Sequence, residues 1–285
     1  MARTWFVTGS SRGLGRSVVE AALEAGDNVI ATARKPAQLG DLVAKYGDRV
    51  MPAALDVTDA DAVVSAVRAG QQRFGRIDVV VNNAGYGDVA AVEDVTLESF
   101  RAQFDTNFFG VVHVTKAVLP ILREQGAGHI FQVSSVGGRT PPLGLSAYSS
   151  AKWAVGGFSS ILAQEVAPLG IKVTVLEPGG IRTDWAGSSM NIPPISKPYE
   201  QTVGQFAGFL RACHGQEPSS PAKIAGVILS LVGREDAPVR LLLGPDAVEY
   251  APKYAEALAE SDKKWLDVSL STAYEQHPTS ERSTG

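Results

Sequence analysis

Tyr148 and Lys152 stand four residues apart, a spacing that puts both side chains on one face of a helix. A phenol with its ordinary pKa of about 10 is a poor acid or base near neutrality. A neighbouring ammonium stabilises phenolate and lowers that value towards the range useful for proton transfer. The chain has seven tyrosines, and this is the one with lysine at the fourth position after it. An exposed helix-surface contact would have the same spacing, so the weight falls on the surroundings. Ser134 and Ser135 close a strand-like run upstream of the pair. Asn107 lies within a long helix-like segment, where asparagine forms helix poorly; that hints at a purpose, with a commonplace surface asparagine as the plainer alternative. Pro178-Gly179-Gly180-Ile181-Arg182-Thr183 follows a further strand-like run.

A second chemistry is written near the start, in Thr8-Gly9-Ser10-Ser11-Arg12-Gly13-Leu14-Gly15. Glycines where a strand turns into a helix let the backbone approach a pyrophosphate, and the helix N-terminus presents free N–H groups to it. About 20 residues further on, a site for NAD places a carboxylate on the ribose 2′-hydroxyl. Here Ala33 occupies that place, Arg34 follows it, and Arg12 sits inside the glycine turn. Two guanidiniums can flank a 2′-phosphate that a carboxylate would repel, so the pattern favours NADP(H); solvated surface arginines are the plainer alternative. Asp56-Val57 and Asn82-Asn83-Ala84-Gly85 end two more runs, suited to an adenine edge and a ribose edge, or to capped turns.

The elements that must position these groups alternate. Strands are expected at Thr4–Thr8, Asn28–Thr32, Val50–Leu55, Ile77–Asn82, His129–Ser134, Lys172–Glu177 and Arg240–Leu243. Helices are expected at Gly13–Ala25, Ala37–Tyr46, Asp59–Phe74, Leu97–Gln125, Tyr148–Ala167 and Pro221–Val232. Continuous apolar strands each followed by a helix indicate an α/β fold, a doubly wound parallel sheet covered on both faces. Ligands of such sheets sit beyond the carboxyl ends of the strands, where every motif above falls. A single domain is expected over 1–285, with no internal repeat. Residues 183–221 break the rhythm with a long stretch rich in Gly, Ser and Pro, and 245–285 form a C-terminal extension with helices at Glu249–Glu260 and Asp262–Ser271 and a frayed last dozen residues.

The order of these motifs resembles that of the short-chain dehydrogenase/reductase family in its compact single-domain form, from Thr4 to about Leu243. The family's T-G-x3-G-x-G lies at Thr8 to Gly15, N-N-A-G at Asn82 to Gly85 and the active-site asparagine at Asn107. The strand-end serine lies at Ser135, Y-x3-K at Tyr148 and Lys152, and P-G-x3-T at Pro178 to Thr183. The resemblance implies a Rossmann-like fold and an oxidoreductase that moves a hydride between NADP(H) and a carbonyl or secondary alcohol. It implies that Tyr148 is the general acid or base, that Lys152 lowers its pKa and holds the nicotinamide ribose, that Ser135 holds the substrate oxygen, and that Asn107 holds a relay water. Implied cofactor contacts come from Gly9, Ser11, Arg12, Gly13, Leu14, Gly15, Arg34, Asp56, Val57, Asn83, Ala84, Gly85, Tyr148, Lys152, Pro178, Gly179, Ile181 and Thr183. The stretch from Leu241 to Asp246 with its following helix is similar to that of hydroxysteroid- or retinol-dehydrogenase-like members.

The resemblance implies that residues 183–221 are a substrate lid; they offer Trp185, Met190, Ile192, Ile195, Tyr199, Phe206 and Phe209, the loop after Ser135 adds Val136, Pro141, Pro142, Leu143 and Leu145, and the loop after the fourth strand adds Tyr86. They suit an apolar, fairly bulky ketone or alcohol, and equally plain core packing. A 3-oxoacyl or polyketide ketoreductase is a second enzyme reading, with Arg182 and Arg211 as its basic patch. A nicotinamide-sensing regulatory protein that binds without reacting is a reading from another class, disfavoured by the complete set of Asn107, Ser135, Tyr148 and Lys152.

Bulk properties narrow the partners. The chain has 285 residues, 45% hydrophobic and 20% charged, with 26 basic against 30 acidic side chains. That is a globular composition without the basic excess that nucleic acid or an anionic membrane would require. One cysteine, Cys213, cannot form an internal disulfide, and the four histidines lack metal-ligand spacing, so no metal is expected. No secretory leader pattern precedes Thr4, and no apolar run reaches the ~20 residues of a membrane helix. The expectation is a cytoplasmic enzyme for small molecules, and the family resemblance implies a homodimer through the helices carrying Asn107 and Tyr148.

Overall fold

The computed structural model describes residues 2–187 and 189–274; His277 and most of the expected frayed end lie outside them. Seven strands are described: β1 (Thr4–Val7), β2 (Asn28–Ala33), β3 (Val50–Ala54), β4 (Val79–Asn82), β5 (Gly128–Val133), β6 (Ile171–Pro178) and β7 (Arg240–Leu243). They form one parallel sheet in the order β3-β2-β1-β4-β5-β6-β7. Its central strand β1 has Phe6 in register with Ile30 on one side and Val80 on the other.

Strand alternation sends side chains to two cores. Trp5, Val7, Val29, Val81 and Phe131 pack against α1 (Gly13–Glu24), α2 (Gly40–Tyr46) and α8 (Pro221–Leu231). Phe6, Ile30, Val80 and Ile130 pack against α3 (Ala60–Phe74), α5 (Gly110–Gln125) and α6 (Ser146–Val166). Each such side chain, fully withdrawn from water, contributes roughly 1.5–3 kcal/mol before entropy. The chain reverses direction across the sheet between β1 and β4, and their carboxyl ends open the crevice where the motifs gather.

Four boundaries depart from expectation. The long helix is α4 (Leu97–Phe104), a π-helical turn over Asp105–Phe109, and then α5. Strand β4 begins at Val79 because the Gln125 side chain engages both backbone groups of Ile77, accepting from its N–H at 3.2 Å and donating to its carbonyl at 2.7 Å. Helix α6 begins at Ser146, one half-turn before Tyr148. The tail is one helix, α9 (Pro245–Lys264), followed by α10 (Leu266–Leu270). The described part of the segment expected as a lid folds as short turns leading into α7 (Gln205–Cys213), and its Met190, Val203 and Ala207 pack on Val89, Leu145 and Tyr148. Among the described residues no helix is long and apolar enough to cross a membrane.

Candidate active site

The glycine turn is built from contacts that admit no larger residue. Gly13 opens α1 at φ +58°, a left-handed conformation that glycine adopts without strain. A Cβ on Gly15 would collide with the Gly9 carbonyl and the Asn83 amide. That amide closes the turn from across the crevice, donating to the carbonyls of Thr8 at 3.0 Å and Gly9 at 3.2 Å. In return the Thr8 hydroxyl accepts from the N–H groups of Asn83 at 2.9 Å and Ala84 at 3.0 Å. The first and fourth strand ends are thus one unit. Arg12 and Arg34 stand exposed at the carboxyl ends of adjacent strands, and neither has an ion-pair partner among the described residues. Asp56 caps its own turn through the Thr58 N–H and hydroxyl, at 3.0 and 2.8 Å. Those bonds hold its carboxyl below the usual range, with a smaller contribution from Arg34.

Not every expected contact residue turns its side chain to the crevice. Leu14 and Val57 are buried in the two cores, so only their backbone groups are available there. Gly179 faces Asp246 from the first turn of α9, whose Oδ2 accepts from the Gly180 N–H at 2.7 Å. Thr183 does reach the glycine turn, with its side chain 3.5 Å from where a Cβ of Gly13 would stand.

The four catalytic candidates come from three places that are fastened together: the π-helical turn, the end of β5 and α6. Ser135 ends β5 in extended backbone and accepts from the Gly137 N–H at 3.1 Å. Its neighbour Ser134 donates to the Lys152 carbonyl at 3.0 Å, and the Lys152 ammonium donates to the Val133 carbonyl at 2.8 Å, so α6 is bolted to the end of β5 at both ends of one residue. Lys152 Nζ lies 5.6 Å from the centre of the Tyr148 ring. Asn107, fully buried in the π-helical turn, donates to the carbonyls of Tyr86 and Gln103, both at 2.8 Å. This orientation leaves Asn107 Oδ1 buried without a partner among the described residues. That oxygen and Lys152 Nζ both face the Cα of Gly85, at 2.5 and 3.4 Å from the point a Cβ there would occupy. A π-turn at such a spot widens the helix by one residue and aims a side chain that a regular helix would turn away.

The electrostatics correct one expectation. Burial pushes the Tyr148 phenol up to about 12, against a smaller downward pull from Ser135, and pushes Lys152 down to about 8. Burial disfavours the charged form of each group, and it sets the direction of both shifts. The Tyr148 phenol is therefore protonated at neutral pH. Trp185 lies over its ring, centroids 5.1 Å apart and planes inclined by 55°, and a Cβ on Gly87 would sit 2.8 Å from that indole.

Sequence reasoning missed three groups that hold this frame. Glu177, fully buried before Pro178, accepts from Arg139 Nε at 2.7 Å and from Arg240 Nε at 2.9 Å. It thereby ties the loop after β5 to β7. Gln103 offers its carbonyl to Asn107 and its side-chain oxygen to the Asp88 N–H at 3.1 Å. Asp246 is the third.

A family model described as short chain dehydrogenase matches residues 3–191. Oxidoreductase BOA17 of Botryotinia fuckeliana is 63% identical over 274 residues, spanning 96% of this chain and 100% of that protein. A short-chain dehydrogenase from Streptomyces avermitilis superposes with a TM-score of 0.91 at 39% identity, over 96% of this chain and 100% of its own. An alcohol dehydrogenase from the archaeon Thermococcus sibiricus, solved with 5-hydroxy-NADP, superposes with a TM-score of 0.70 at 27% identity, over 86% and 97%.

Proposed function

Because the chain belongs to the short-chain dehydrogenase/reductase family of oxidoreductases, we propose that it reduces an apolar ketone or aldehyde with NADPH, or runs the reverse reaction, at Tyr148. The observation that carries this reading is the convergence of Tyr148, Ser135, Lys152 and the unpartnered Asn107 Oδ1 beside the glycine turn. The residues fit the coenzyme. The cradle of Gly9, Gly13 and Gly15 takes the pyrophosphate on the α1 N-terminus. Arg12 and Arg34 would take the 2′-phosphate, and a phosphorylated coenzyme accords with the 5-hydroxy-NADP bound to the Thermococcus sibiricus relative. The coenzyme supplies the hydride.

The chain supplies proton and placement. The Ser135 hydroxyl donates to the carbonyl oxygen, and the Tyr148 hydroxyl delivers its proton there as negative charge develops. At about 12 the phenol is still a far stronger acid than the alcohol being formed, so the transfer runs downhill. A water held by Asn107 Oδ1 and Lys152 Nζ returns a proton towards Tyr148. Apolar side chains of the lid, Trp185, Met190, Ile192 and Phe206, form the substrate wall. A homodimer and a cytoplasmic location accord with this reading.

NADPH consumption over a ketone series tests it, with wild type and Tyr148→Phe in parallel. The expected result is turnover of hydrophobic ketones and at least about a hundredfold loss in the variant, with NADPH binding intact. Faster turnover of small polar sugars rejects the substrate class. Unchanged turnover in Tyr148→Phe rejects the mechanism.

A further inference from the structure

The geometry points to Asp246 as a positioning residue of the coenzyme site: its carboxylate, presented by the C-terminal helix, fixes the loop Pro178–Thr183 against the glycine turn. The inference rests on the coenzyme reading above. Its observations are independent of Tyr148.

Three residues that follow the loop in sequence hold it through four hydrogen bonds. Asp246 Oδ2 accepts the Gly180 N–H at 2.7 Å. The Gly179 N–H donates to the Leu243 carbonyl at 2.9 Å, at the end of β7. Ser219 brackets the loop from outside, donating its N–H to the Gly180 carbonyl at 3.1 Å and accepting the Arg182 N–H at 2.9 Å. The carboxylate also explains the first glycine of the pair, because a Cβ on Gly179 would fall inside it. Glycine at 179 is what lets the carboxylate come this close. On its far side the same loop delivers Thr183 to Gly13. Asp246 is thus connected, through five residues of backbone, to the turn expected to carry the pyrophosphate.

The placement is built at a cost. Asp246 Oδ1 and Ser219 Oγ are both buried without hydrogen-bond partners among the described residues. Gly244, at φ +103°, is where the two meet: a Cβ there would lie 2.9 Å from Asp246 Oδ1 and would overlap Ser219 Oγ. An acceptor half-satisfied in a buried place weakens a fold. The carboxylate does accept a backbone N–H and stands in the first turn of α9, where helix N–H dipoles favour negative charge.

Asp246→Ala and Asp246→Asn decide the matter, in the full chain, by NADPH fluorescence titration, steady-state kinetics, and amide exchange of the coenzyme-free protein. The expected result for Asp246→Ala is faster exchange confined to the 178–183 backbone, and Kd and KM for NADPH about tenfold higher with kcat within twofold. Asp246→Asn, whose amide oxygen can still accept from Gly180, recovers most of the affinity; if the alanine variant does not fold, Asp246→Ser, whose hydroxyl is one bond shorter than the carboxylate oxygen, takes its place with the same expected loss. Unchanged NADPH affinity in both variants, or exchange that quickens equally across β7 and α9, overturns the proposal. Wild type that ignores NADPH sinks the coenzyme reading and this proposal together, whereas wild type and variants that bind equally well sink the proposal alone.

Discussion

Lys152 sits 4% exposed with a pKa brought by burial from 10.5 to about 8. The unfolded chain therefore binds the extra proton between pH 8 and 10.5, and stability rises with pH across that window. Below pH 8 the buried ammonium costs the folded state a constant amount, about 3 kcal/mol at most. Lys152→Met should consequently abolish turnover and raise the melting temperature at pH 7; a lower melting temperature in calorimetry would contradict the argument. Wild-type carbonyl reduction should fall as pH rises through about 8, where the ammonium discharges. The limb should move upward in Lys152→Arg, in whatever activity that variant keeps. His129 carries the opposite end of the pH range. Burial, helped by the charge of Lys172, lowers it from 6.5 to about 4. The unfolded state takes up this proton first, so stability drains away as pH falls from 6.5 to 4, by about 3 kcal/mol at most. Urea titrations at pH 7 and pH 4.5 should show that loss in wild type and a smaller one in His129→Gln. The residues expected to react were legible because each belongs to a short local pattern: four apart on a helix, a glycine triplet, a serine ending an apolar run. What desolvation does to them was not legible, because burial is a property of the folded surroundings and not of spacing.

At the scale of elements, the strands and the helices of the crossovers follow from continuous apolar runs and helical periodicity, and most were placed within a few residues. The π-turn at Asn107 was invisible, since nothing in Asp105–Phe109 distinguishes one extra residue per turn from regular helix. So were the ties between elements distant in sequence, such as Glu177 reaching Arg139 and Arg240. That carboxylate is fully buried while its arginines remain about one-third exposed. Removing its charge strands two guanidiniums that can still swing to water, so the cost lies below the 3–5 kcal/mol of a wholly buried pair. Glu177→Gln should lose about 1–3 kcal/mol in urea unfolding. It should also loosen the loop after Ser135, seen as faster amide exchange at residues 136–140. An unchanged midpoint would show that the ties are incidental.

Over the whole molecule, the site belongs to no single stretch of chain. The turn after β1 is closed by Asn83 from the end of β4, and the loop after β6 is held by the start of α9. Coenzyme binding should therefore stabilise the entire fold cooperatively, by about 2.7 kcal/mol at a concentration of 100 times Kd. NADPH should raise the melting temperature more than an equal concentration of NADH, and Arg12→Ala with Arg34→Ala should erase the difference. Equal shifts in wild type would remove the basis for a 2′-phosphate preference. The indole laid over Tyr148 has a practical consequence. Four tryptophans occur in the chain, and Trp185 is the one against the Tyr148 ring among the described residues. Its emission overlaps the absorption of a reduced nicotinamide but not that of an oxidised one. Excitation energy passing from Trp185 would dim the ultraviolet signal as the reduced form arrives and restore it on oxidation. The protein would then report its own redox turnover by light, without an added dye.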